Sequence, residues 1–207
     1  MNRDRGRRAS PGALYAALAV WLVASVAIGA SGLLARSPVP PPAIAVGLTV
    51  LLLLVVLLVP AVAEQVRSVG AQKLVAFHVL RLFAGINFLV LASRGILPDE
   101  FAVAAGWGDI AVGATAILVC WWCFPLRTAA QRRTLLLWNA FGLVDILGVL
   151  ANGIRLFVRD PALAEPFTRL PTATLPTFVV PIVIASHILL FAWRRDLLRP
   201  SDDAERV

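Results

Sequence analysis

The sequence predicts an all-α integral membrane protein, a helical bundle of six transmembrane helices with both termini in the cytoplasm. Three observations predict it. Hydrophobic residues make up 59% of the 207 and charged residues only 15%, whereas a soluble domain carries about a quarter charged residues. The apolar residues gather into six runs of roughly 20, the length needed to cross about 30 Å of hydrocarbon. The basic residues then divide unevenly between the two sets of connectors, as the positive-inside rule requires.

The first run, about 12–35, follows a basic head, NRDRGRR. That order suggests a signal peptide, but the run exceeds the 7–15 residues of a typical h-region. It is read as an uncleaved helix. The second run, about 43–63, follows RSPVPPP (36–42), and the connector EQVRSVGAQK (64–73) leads to the third, 74–93. RGILPDE (94–100) separates that from the fourth, 101–124, and PLRTAAQRR (125–133) precedes the fifth, 134–156. A proline-rich stretch from Val158 to Pro176 opens onto the sixth run, 177–193. The chain thus divides into a basic tail (1–11), a membrane domain (12–193) and a charged tail (194–207), with no connector able to form a second domain.

With both termini inside, thirteen basic residues fall on the cytoplasmic side. The outer side holds five: Arg36, Arg94, Arg155, Arg159 and Arg169. The net charge of +7 is therefore a topology signal. It lacks the basic and aromatic surface or finger spacing of a nucleic-acid binder, so nucleic acid is not an expected partner. The bilayer is, and the expected location is the cell inner membrane.

Prolines 161, 166, 171, 176 and 181 recur every five residues through the last connector. Each removes an amide donor and fixes φ, so no helix is expected to run through this segment. It reads as an ordered outer loop, with a second reading as a cap over an outward-facing cavity, since long loops are often lids.

Four ionisable residues lie inside the apolar runs: Arg81, Asp109, Asp145 and His187. Such groups are rare at depth and face the bundle interior, paired with one another or lining water. At 1.5 Å per residue, Asp109, Asp145 and His187 fall at about 16–18 Å from the cytoplasmic face and the Arg81 backbone at about 10 Å. Ala102, Ala105, Gly106, Gly113 and Ala116 form a small-residue stripe beside Asp109, the surface on which helices pack closely. Trp138, Gly142, Gly148 and Asn152 share the face of Asp145, and GLVDILG echoes GWGDIAVG. One arginine does not neutralise two carboxylates in a low-dielectric interior. Either one aspartate carries a proton or His187 is cationic. The plain structural alternative is an interhelical clamp.

Cys120 and Cys123 have the CxxC spacing of thiol exchange, but they fall at the cytoplasmic end of a helix, where thiols stay reduced. The intervening tryptophans resemble an interfacial belt. His78 and His187 raise bis-histidine haem, yet their estimated depths differ by about 10 Å. His78, Cys120 and Cys123 offer zinc ligand types without an obvious fourth. No cofactor is therefore assigned.

FAVAAGWGDIAVG, WNAFGLVDILG and LPTFVVPIVIASH resemble a group of small, functionally uncharacterised bacterial multi-pass membrane proteins over roughly residues 74–193. The resemblance implies a helical bundle in which Asp109, Asp145 and His187 belong to a recurring pattern, and implies no activity. P-loop, HExxH and GxSxG motifs are absent from the sequence, so it points to no enzyme class. The expected function is binding or transport of a small solute or protons at the polar centre. A membrane redox protein using His78 and His187, or a structural subunit, is the alternative.

Overall fold

The computed structural model describes residues 11–197. Those residues are helical, with no strand among them, and six helices are long and apolar enough to cross a membrane. The two charged tails expected at the ends lie almost wholly outside the described residues.

α1 (Gly12–Ser31) ends at Gly32, whose φ of 72° is left-handed, and a short α2 (Leu33–Arg36) follows. α3 (Pro41–Leu58) starts where prolines occupy the first helical positions. Proline is favoured there because those amides have no helical partner. Val59 adopts an extended conformation before Pro60, as the proline ring demands of its predecessor. This break separates α4 (Pro60–Val69), and Gly70, at φ 81°, separates α4 from α5 (Ala71–Phe77). The expected connector at 64–73 is thus largely helical. Its amphipathic pattern lets Ala63 and Val66 pack against Val56, Leu189 and Trp193.

The third span runs through α5 and α6 (Leu80–Ser93). Between them the amides of His78, Val79, Arg81 and Leu82 bond to carbonyls three residues back. That is a one-turn tightening of the kind often found at functional positions. α7 (Asp99–Trp122) is continuous. α8 (Ala129–Arg159) has 31 residues, longer at both ends than the expected 134–156, and is started by a capping box in which Thr128 and Gln131 bond each other's backbones.

The proline-rich segment is more ordered than a plain loop. Asp160 caps a 3-10 helix over Pro161–Thr168, which tolerates Pro166. The last span opens with a π-helical turn, Leu175–Val179, and continues as α9 (Val180–Ala192), followed by α10 (Arg194–Leu197). This last span is the most enclosed, 61% buried against 11% for the first. It is the central post of the bundle, and α1 is held to its upper part by bonds from Trp21 and Ser25 to Thr177.

α6 and α7 pack closest. A β-carbon at Gly85 would run into the Gly106 carbonyl, and one at Gly113 into the Leu82 backbone. Ala102, Ala105 and Ala116 on the same stripe are buried. Small residues here bring the Arg81-bearing helix against the Asp109-bearing one.

Candidate functional site: a buried Arg–Asp–His centre

Arg81 is 2% exposed, and its guanidinium is held on three sides. Nε donates to Asp109 Oδ1 at 2.5 Å, Nη1 to the Gly142 carbonyl at 3.1 Å, and Nη2 to Asp145 Oδ2. One cation thus joins carboxylates from α7 and α8. The planar fork of arginine suits this task, because its donors are fixed in direction and its charge is permanent.

The two carboxylates are not equivalent. The Asp109 side chain is 5% exposed, whereas the Asp145 side chain is 15% exposed. Asp145 lies at the edge of the buried face of α8, between the exposed Phe141 and the buried Trp138, and reaches inward over Gly108, where a β-carbon would overlap its carboxylate. Gly108 is therefore the opening through which α8 presents its carboxylate to Arg81. Gly148, expected on the same seam, is exposed with open space around it.

Gly142 connects this charge cluster to a pair of histidines. A β-carbon there would lie 2.6 Å from His187 Cε1 and 2.8 Å from Nε2. His187 Nδ1 bonds Asn139 Oδ1 at 2.8 Å, while Asn139 Nδ2 donates to the His187 carbonyl at 3.0 Å. The second bond fixes the amide orientation, so His187 Nδ1 is the protonated nitrogen. Ser186 Oγ gives its proton to the Val183 carbonyl at 2.8 Å and contacts His78 Nε2 at 3.0 Å. His78 is therefore protonated on Nε2. His78 Nδ1 and His187 Nε2 are buried lone pairs with no hydrogen-bond partner among the described residues.

The two imidazoles touch, with centroids 4.1 Å apart and planes at 39°, and Trp138 packs against both. This corrects the expected separation in depth. The third span begins at Ala71, not residue 74, and His187 is reached from the Ala192 end in five residues. Both histidines then lie about 8–10 Å from the same end of the bundle. Their contact still disfavours haem, because no plane remains between the rings for a porphyrin. Sequence reasoning placed Gly142 on the face of Asp145 but had no signal for its contact with His187, nor for Gly108 or Asn139, whose roles depend on which helix faces meet.

Cys123 is buried and Cys120 half-buried; both are free thiols, and Cys120 contacts the Gln72 carbonyl at 3.6 Å. Trp121 and Trp122 project outward. Among the described residues no three of His, Cys, Asp and Glu are grouped to hold a metal ion. His78 and the two cysteines are not brought together as a ligand set.

Toward the end of the bundle where α7 begins, Phe88, Phe101, Phe157 and Phe167 form a packed aromatic cluster. Phe167 comes from the 3-10 helix of the proline-rich segment. The adjoining cavity of about 60 Å³ is lined almost wholly by apolar groups.

Among the described residues, an all-helical arrangement with six helices of membrane-crossing length around a buried Arg–Asp–Asp–His centre defines the class of protein at hand. The chain belongs to the family described as "Domain of unknown function (DUF8737)", which matches residues 39–195. That match takes in the second to sixth membrane-length helices and the whole centre. No curated protein and no solved structure matches the chain.

Proposed function

We propose that this is a bacterial inner-membrane protein, with both termini in the cytoplasm, that binds and moves a proton or a small cationic solute through the centre formed by Arg81, Asp109, Asp145 and His187. The observation that carries this reading is the charge count. Two carboxylates meet one guanidinium in a low-dielectric interior, and the centre is one positive charge short whenever both are ionised. A bound proton or cation makes up that charge.

Asp145 is the exchanging group, because it alone is partly exposed; Asp109 serves as the fixed counter-ion of Arg81. The unpaired nitrogens of His78 and His187 give an incoming proton acceptor positions on the terminal side of Arg81. The Phe88–Phe167 cluster is an aromatic cap on the other side, and its opening would admit the outer solution.

The test is proton flux in vesicles of neutral lipid, driven by a potassium diffusion potential and read with an internal pH dye. The parent should acidify or alkalinise the lumen with the sign of the potential, and Asp145→Asn should lose the flux while remaining folded. Equal flux in parent, Asp145→Asn and protein-free vesicles would remove proton movement. A folded parent that carries no flux would leave the clamp reading, which the three hydrogen bonds of Arg81 support.

A further inference from the structure

We propose that a second site, separate from the charged centre, holds a single-chain anionic amphiphile of the fatty-acid class, its carboxylate at Lys73 and its chain along α9. A cleft of about 230 Å³ opens between α1, α3, α4, α5 and the last span. Its walls are apolar, formed by residues such as Leu18, Leu52, Val66, Phe77 and Leu189. The lining on the last span runs from Phe178 to Leu189, about 16 Å of helix. A helix 10–12 Å across lying along that length would fill roughly 1,000 Å³ or more, which exceeds the room in the cleft. A single extended hydrocarbon chain suits the space better than a partner helix.

The polar groups sit where a headgroup would. Lys73 and Tyr15 line the cleft at the end where α1 and α5 begin, and both are exposed. Neither has a hydrogen-bond or ion-pair partner among the described residues. Lys73 is the lysine in a chain whose other eighteen basic residues are arginines. Glu64 is the one acidic residue on the helices walling the cleft, and it lies off the row of Val62, Val66 and Val69 that faces in. Nearby Arg67 is turned onto the Trp193 ring, 4.4 Å from its centroid. Ser186 also lines the cleft, but its hydroxyl is already engaged by Val183 and His78. The cleft therefore offers one unneutralised ammonium at its mouth and hydrocarbon contacts below it. That is the complement of one carboxylate on one acyl chain.

The test uses the full chain in nanodiscs of neutral phosphatidylcholine and a palmitate carrying a photoreactive diazirine near its methyl end. Crosslinks should concentrate on α1 and the last span, near Leu18 and Phe178. Lys73→Gln should reduce them at least tenfold at limiting probe, and Lys73→Arg should retain them. The matching neutral alcohol should label weakly and be indifferent to Lys73→Gln. Labelling scattered over the outward faces of all six spans would overturn the proposal, as would equal labelling of the parent and Lys73→Gln. Both variants are at an exposed position, so loss of folding does not obscure the comparison.

Discussion

The guanidinium of Arg81 donates to the main-chain carbonyl of Gly142 at 3.1 Å, and this contact joins the carboxylate half of the centre to the histidine half. The same glycine lies against His187 with no room for a methyl group. A helical glycine is ordinarily replaceable by alanine with a gain of about 0.8–1 kcal/mol. Gly142→Ala should reverse that sign and lose about 1–3 kcal/mol from overpacking. Gly148→Ala, in open space, should be neutral or stabilising. Thermal unfolding of both in detergent compares them directly.

Asp109 and Asp145 should respond differently to neutralisation. Asp109→Asn leaves Arg81 buried beside a weaker partner, and breaking a buried pair costs about 3–5 kcal/mol. Asp145→Asn should cost less, because its side chain reaches the surface between α7 and α8. Adding Arg81→Ala to Asp109→Asn should recover part of the loss, as interacting sites do. Equal stability of both single variants with the parent, and no cost for Arg81→Ala, would mean the groups are solvated and not paired in a dry core.

The histidines should be neutral in opposite tautomers, His187 protonated on Nδ1 and His78 on Nε2. Nitrogen NMR of imidazole-labelled protein distinguishes these forms. Asn139→Leu should remove the constraint on His187 and cost about 1–3 kcal/mol through the polar groups it leaves unpaired. A spectrum with the same tautomer at both positions would contradict the hydrogen-bond assignment.

The six membrane-length helices were legible in the sequence because each apolar run is as long as a bilayer crossing requires, and the Arg81–Asp109–Asp145 grouping because charges stand out in such runs. The ends were less legible. Pro60 and Gly70 convert one expected connector into α4, and Thr128 starts α8 earlier than its hydrophobicity does. The expected separation of His78 from His187 has a different cause: His187 lies five residues from the Ala192 end of its span, the end shared with Ala71, and counting its depth from the opposite end produces the separation. The passages opened by Gly108 and Gly142 were illegible for another reason: close approach depends on two helices at once, and a single sequence shows only one face at a time.

Topology follows from the same ends. Reporter fusions at Arg67 and Thr128 should report cytoplasm, and fusions at Ser37, Pro98 and Glu165 the outside. Any two reversals would contradict the positive-inside assignment and with it the side from which Asp145 exchanges.

The central claim, that the centre takes up one positive charge at Asp145, is met most directly by infrared difference spectroscopy of the protein in neutral-lipid vesicles as the pH is lowered. The account predicts the carbonyl band of one buried carboxylic acid, absent from Asp145→Asn and retained in Asp109→Asn if that variant folds. A difference spectrum with no such band, or one unchanged by Asp145→Asn, would contradict it.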